Sequence, residues 1–286
     1  MRKTSVRIRP FNVGGAFEIV LPNGKVILLD PFFTGNTFPG GQTREDVTGA
    51  DYILLSHTHF DHDIDVGYFV RKFHSKVFVG AMSAMDLLKF HKIPYDNIFP
   101  VYPGQKYTLE DFSVEFFQTK HNPSGGRTYD PETADIALKA CGVAGHTACD
   151  VWGSMESVDF LITTNNNFRI LGASGRVIWN ELFDVCKNRG PNLLLRQAGV
   201  RRGTGDMKNG EQVSPKELAE LLIRYQAQTI IPFHHDVLFK RWGEEKTYAY
   251  MDQVGEEVEK MDVGAQFINP VAWKWYDIGT DILVED

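Results

Sequence analysis

From Ser5 to Val20 apolar and polar residues alternate, the period of a half-buried strand. Leu21-Pro-Asn-Gly24 then supplies a turn whose glycine tolerates positive φ, and Lys25 to Leu29 resumes the apolar run, so this segment reads as a β-hairpin ending at Asp30-Pro31. Asp51 to Ser56, with Tyr52-Ile-Leu-Leu55 inside it, is a short, fully apolar strand that stops at a run of histidines and aspartates. Lys76 to Gly80 is another such strand, and Met82 to His91 has helical spacing through Met85, Leu87, Leu88 and Phe90. Phe112 to Thr119 alternates again and ends at Lys120-His121.

The second half repeats this grammar. Val158 to Thr164, an Asn165-Asn-Asn167 turn and Phe168 to Leu171 make a hairpin; Asn192 to Leu195 is a buried strand. Ser214 to Ala227 reads as an amphipathic helix with Ser214 as its cap, Pro215 in the first turn and Glu217 completing a capping box. Thr229 to Phe233 is a β-branched strand that runs into His234-His235, and Trp273 and Trp275 alternate with polar residues as a final strand would. Strands alternating with helices predict an α/β layered protein, read here as one domain over residues 1–286. Arg127 to Met155, rich in Gly, Ala and Thr, breaks the pattern and reads as an inserted loop or lid.

Composition narrows the partners. With 286 residues and 43% hydrophobic content the chain can bury a sizeable core. Thirty basic residues against 37 acidic leave a net charge of −7, which does not recruit nucleic acid or an anionic membrane, so a small-molecule substrate is expected. The basic N-terminus alternates charge with apolar residues instead of forming an export signal, and no window reaches the ~20 apolar residues of a membrane span. Cys141, Cys149 and Cys186 are too few and odd in number for a disulfide framework, which fits a cytoplasmic protein. A homo-oligomer is a base-rate expectation.

Five of the nine histidines stand at the far ends of three apolar strands: His57 and His59, His121, and His234 with His235. Side chains from separate segments converge where the strands of an open sheet end. His57-Thr-His59-Phe-Asp61-His62 sets four polar groups at the mouth of a hydrophobic strand, which is costly unless a cation or hydrogen bonds compensate. Neighbours in extended chain face opposite ways, so one of His234 and His235 is read as a ligand, His234, and the other as a pocket or supporting group. Asp30 is read as holding a loop or orienting an imidazole. His74 and His91 read as exposed, and His146 as a loop residue. Cys141, His146 and Cys149 lack the paired spacing of a structural zinc site, and Arg201, Arg202 and Thr204 lie in a basic, glycine-containing stretch that could contact a phosphate or carboxylate.

Ser56-His57-Thr58-His59-Phe60-Asp61-His62 resembles the His-x-His-x-Asp-His signature of the metallo-β-lactamase superfamily. Leu28-Leu29-Asp30-Pro31-Phe32, His121 and Ile230-Ile-Pro-Phe-His234 are similar to its further motifs in the same order. The nearest likeness is to the branch containing ascorbate-6-phosphate lactonase and N-acyl-phosphatidylethanolamine phospholipase D. The resemblance implies an αββα sandwich of two mixed sheets flanked by helices. It implies one metal on His57, His59 and His121, and a second on Asp61, His62 and His234. The cofactor would be one or two divalent transition metal ions, zinc foremost, with manganese or iron compatible. Metal-activated water would then hydrolyse a small-molecule ester such as a phosphodiester or lactone, with Asp61 orienting the water or relaying a proton.

One position departs from the family pattern. Where a metal-bridging aspartate is expected, the chain reads Gly172-Ala173-Ser174-Gly175. A methyl group cannot screen two dications from each other. The site would hold one metal, borrow a carboxylate (Asp63, Asp65 or Asp150 are candidates), or serve a catalytically impaired metal- or ligand-binding protein on the same fold.

Overall fold

The computed structural model describes residues 5–12, 14–34, 40–89, 91–120, 156–175, 180–199 and 212–279. Among these residues fourteen strands form two sheets of seven. The first sheet runs, in spatial order, β14 (Tyr276–Ile278), β1 (Val6–Pro10), β2 (Phe17–Val20), β3 (Val26–Leu29), β4 (Tyr52–Leu54), β5 (Lys76–Gly80) and β6 (Ile98–Val101). The second runs β13 (Gln266–Phe267), β12 (Thr229–Phe233), β11 (Leu193–Gln197), β10 (Arg169–Ala173), β9 (Glu156–Thr164), β8 (Phe112–Lys120) and β7 (Lys106–Thr108). Each sheet is mixed: β3 to β6 and β10 to β13 are parallel, whereas the other neighbours pair antiparallel.

Strand alternation sorts the apolar side chains into three layers. Ile8, Phe17, Ile19 and Leu29 of the first sheet meet Val114, Phe116, Phe160, Ile162 and Ile231 of the second in a core between the sheets. The opposite face of the first sheet, with Leu28, Ile53, Val77 and Val79, buries Phe69 and Val70 of α2 (Val66–Phe73) and Leu87 of α3 (Ala84–Lys89). The outer face of the second, with Leu161, Leu171, Leu194 and Ile230, packs on α4 (Asn180–Asn188), α5 (Pro215–Ile223) and α7 (Glu244–Lys260) through Leu182, Leu218, Leu222, Met251 and Val254. The order helix, sheet, sheet, helix is the αββα sandwich that the family resemblance implies.

Several local expectations change. The alternation from Ser5 to Val20 is two strands, because Gly14 and Gly15 let the chain reverse between Phe11, whose N–H donates to Ala16 O, and Ala16. Met85 and Leu88 are 61% and 40% exposed, since α3 turns Ala84, Asp86 and Leu87 inward instead. The helix expected to reach Ala227 ends at Ile223, and Gln226 beyond it has φ +52°. Its capping box is present as read, with Ser214 Oγ accepting from Glu217 N. The last strand starts at Tyr276, after both tryptophans; their indoles stack on the Arg9 guanidinium at 4.7 Å (Trp273) and 4.5 Å (Trp275). Residues 127–155, with Cys141, His146, Cys149 and Asp150, lie outside the described residues, as do Arg201, Arg202 and Thr204. No helix among the described residues is long and apolar enough to cross a membrane.

Candidate metal centre

The strand β4 ends at Leu54, its apolar run at Leu55, and the chain leaves the sheet through Ser56-His57-Thr58-His59 into the short α1 (Phe60–Asp63), whose first turn closes on His59 O. Beside it β3 ends at Leu29, and Asp30 follows at φ +41°. The Asp30 carboxylate receives Ser56 N at 2.8 Å, Ser56 Oγ at 2.6 Å and His62 Nδ1 at 2.9 Å. A carboxylate only accepts, so Nδ1 of His62 carries a hydrogen, and in the neutral ring it is Nε2 that holds the lone pair. That Nε2 is buried and has no hydrogen-bond partner among the described residues.

The same logic reaches His57. Ser56 Oγ donates its hydrogen to Asp30 and therefore accepts from His57 Nδ1, 2.8 Å away. His57 Nε2 is then left facing His59 Nδ1 at 3.0 Å. The two nitrogens are in hydrogen-bond contact, and their separation also falls within the roughly 3–3.4 Å of two imidazole nitrogens on one ion, each about 2.0–2.1 Å from it.

From the second sheet, β12 ends at Phe233 and His234 follows with φ +58°. Its Nδ1 donates to Asp236 Oδ1 at 2.9 Å. Its Nε2 lies 3.8 Å from Asp61 Oδ2, and His62 Nε2 lies 4.0 Å from Asp61 Oδ1. Asp61, His62 and His234 thus offer three ligand atoms within 4.8 Å of one another, a group able to hold a metal ion. The rings of His57 and His62 are 4.0 Å apart, which joins the two pairs into one cluster.

The electrostatics favour a cation. Burial would raise the Asp61 carboxyl, but the imidazoles of His62, His234 and His59 outweigh it and hold the group below its ordinary range. Burial opposes charge on His62, yet Asp30 first, then Asp61 and Asp63, push its imidazole up to about 9. A third wall comes from the turn between β1 and β2. Gly15, at φ +113°, lies so close that a Cβ there would stand 2.9 Å from the Phe233 ring and 3.9 Å from His62 Cε1.

Other expectations meet different outcomes. His121 lies outside the described residues. His235 is fully buried against the rings of Phe239, in α6 (Phe239–Trp242), and Tyr248. Burial pushes its imidazole down to about 4, and neither ring nitrogen has a hydrogen-bond partner among the described residues. Asp63 and Asp65 are committed elsewhere: Asp63 receives His91 Nε2 at 2.9 Å, while Asp65 receives Phe33 N, Thr34 N and Oγ1, and Arg44 Nη1. His91 is therefore buried, not exposed, because it serves Asp63. Ala173 is 1% exposed and its methyl belongs to the core between the second sheet and its helices, with Leu161 and Leu171. The turn after it is held by Asp159 Oδ1, which receives Ser174 N and Gly175 N, while the buried Arg196 donates to Ala173 O. Sequence reasoning missed Ser56, Asp236 and Asp159. Asp236 was legible as a carboxylate two residues beyond a candidate ligand; the other two show no signal before strand ends are juxtaposed.

Histidines and carboxylates gathered where strands of an αββα sandwich end form a group that could hold a metal ion. The model of the metallo-beta-lactamase superfamily matches residues 16–235, and the chain belongs to that superfamily. A UPF0173 metal-dependent hydrolase of Staphylococcus carnosus is 36% identical over 102 residues, which are 36% of this chain and 43% of the relative. A namesake from Carboxydothermus hydrogenoformans is 32% identical over 114 residues, 40% of this chain and 48% of the relative. The chain thus spans less than half the length of these curated relatives. In fold it is similar to Igni18, a metallo hydrolase from Ignicoccus hospitalis, with a TM-score of 0.63, 14% identity and coverage of 96% of this chain and 98% of the other.

Proposed function

We propose that this protein is a metal-dependent hydrolase that uses a metal-activated water on a small-molecule ester, a phosphodiester or lactone, in the cytoplasm. The observation that carries the reading is the convergence of Asp61 with the bare, buried Nε2 of His62 and with Nε2 of His234. Asp61, His62 and His234 would hold one ion, and His57 and His59, with His121, would hold another, zinc being the first choice for such nitrogen and carboxylate donors. When bound, a divalent cation supplies a water with a pKa near ~7 and a Lewis acid for the substrate oxygen. Asp61, kept ionised by the surrounding imidazoles, accepts a hydrogen bond from the attacking water and can pass its proton towards the leaving group. Asp30 and Asp236 keep His62 and His234 in the tautomer whose Nε2 faces Asp61. The curated relatives named as metal-dependent hydrolases support the reading, as do the motifs shared with the ascorbate-6-phosphate lactonase and N-acyl-phosphatidylethanolamine phospholipase D branch.

The test is elemental analysis of the purified protein with turnover of a phosphodiester and a lactone before and after chelation. Activity that vanishes on chelation, returns with zinc or manganese, and falls about 100- to 10,000-fold in Asp61→Asn is the expected result. Ala173 favours a second reading, a binding protein that keeps the fold and an ion without turnover. Bound metal with no hydrolysis across several metals and ester classes would select it.

A further inference from the structure

The histidine motif is gripped from two sides. On one side Asp30 receives Ser56 N at 2.8 Å and Ser56 Oγ at 2.6 Å. On the other, Thr58, which stands between His57 and His59 and is fully buried, donates Oγ1 to Asp86 Oδ2 at 2.9 Å. Asp86 belongs to α3 and is 1% exposed. Beyond the end of α3, the buried His91 places Nε2 2.9 Å from Asp63 Oδ2, at the end of α1. The helix and its flanking residues therefore touch the motif twice, near its start through Thr58 and just past its end through Asp63. The residues ahead of α3 are fixed in turn to the second sheet, where Glu156 of β9 receives Met82 N at 2.8 Å and Ser83 N at 3.0 Å. Gly80, the last residue of β5, leaves the space for that carboxylate, since a Cβ there would collide with Glu156. Burying a carboxylate such as Asp86 is costly, and an apolar pair would fill the same space at lower cost. What the hydrogen bond adds is direction.

From these contacts we infer that Asp86 is a positioning residue for the metal centre: through Thr58 it sets the turn that presents His57 and His59, and α3 is a brace that Glu156 ties to the second sheet. The inference rests on the metal-dependent reading above and adds to it residues outside the ligand set. The brace matters because the centre draws on both sheets, the motif following β4 of the first and His234 following β12 of the second. A misplacement of about 1 Å at a reacting centre can cost about 100-fold in rate. Groups that hold ligands in place typically change metal affinity 10- to 100-fold when removed, about the range expected here.

Cobalt(II) titration of chelator-stripped protein, followed by its visible spectrum and by competition with a chromophoric chelator, tests the role, with the metal-free thermal midpoint measured alongside. Thr58→Val, which stays close in shape and removes the donor, should weaken cobalt binding about 10- to 100-fold and change the visible band. Thr58→Ser, which keeps the donor, should bind close to the wild type. Asp86→Ala should repeat the Thr58→Val loss, and Asp86→Asn, whose amide oxygen still accepts from Thr58 Oγ1, should recover most of it. The double variant Thr58→Val/Asp86→Ala should lose no more than either single variant, as two partners in one contact do. Glu156→Ala, at the far end of the brace, should weaken binding by a smaller factor, and Glu156→Gln should restore it. If Asp86→Ala does not fold, the two Thr58 variants decide. Wild-type cobalt affinity and band in Thr58→Val, even with a lowered metal-free midpoint, overturn the positioning role and leave the metal-dependent reading standing. Equal losses in Thr58→Val and Thr58→Ser overturn it too. An unchanged cobalt affinity in Glu156→Ala overturns the brace. No cobalt binding in the wild type overturns the metal-dependent reading itself.

Discussion

Gly15 does two things that no other residue type can do at once. It turns the chain at φ +113°, and its missing Cβ leaves room for the ring of Phe233, the residue before His234. Gly15→Ala is expected to destabilise the protein by about 1–3 kcal/mol through backbone strain and overpacking, measured by urea unfolding of the metal-free form. Asp30 and Ser56 show the complementary case, in which a side chain works through another. Asp30 was legible because an aspartate ends the strand ahead of the histidine motif. Ser56 was not, because its value lies in passing the Asp30 hydrogen bond to His57, a relation that exists only once β3 and β4 lie side by side.

Elements whose signals are local came through intact. The strands Lys76–Gly80 and Thr229–Phe233 have the bounds their apolar runs predict. The start of α5 follows from Ser214, Pro215 and Glu217, all within one turn. Ser214→Ala removes the acceptor for Glu217 N and should cost about 1 kcal/mol in chemical denaturation, without altering metal content. Elements that depend on distant partners were less legible. The α3 stripe of Met85 and Leu88 faces outward because Glu156, at the start of β9, receives Met82 N at 2.8 Å and Ser83 N at 3.0 Å. These contacts anchor the residues leading into the helix to the second sheet. The Arg9 guanidinium similarly recruits Trp273 and Trp275 ahead of the last strand.

At the scale of the molecule the centre spans both sheets. His57, His59, Asp61 and His62 follow β4 of the first, and His234 follows β12 of the second. A backbone hydrogen bond of 2.9 Å from Val158 N to Ser56 O ties the sheets at the same edge. An ion held by Asp61, His62 and His234 would therefore cross-link the halves of the sandwich. Such binding stabilises the folded state by about 2.7 kcal/mol when free metal is 100 times the dissociation constant. Chelation is expected to lower the thermal midpoint of the wild type, and His234→Ala should abolish most of the difference between metal-loaded and stripped protein. An equal shift in both proteins would place the stabilising ion elsewhere.

The linear order of residues determined the layered α/β pattern and the strands that lead into the histidines, because period-two burial is a local property, and its motifs carried the resemblance that implied the αββα sandwich and drew attention to Asp61, His62 and His234. Only the tertiary structure decided which nitrogen of His62 and of His234 turns to Asp61. That depends on Asp30 and Asp236 meeting rings brought from two sheets. It likewise turned Asp63, Asp65 and Ala173 away from the centre, since each found its lower free energy in a buried hydrogen bond or an apolar contact that no spacing along the chain records.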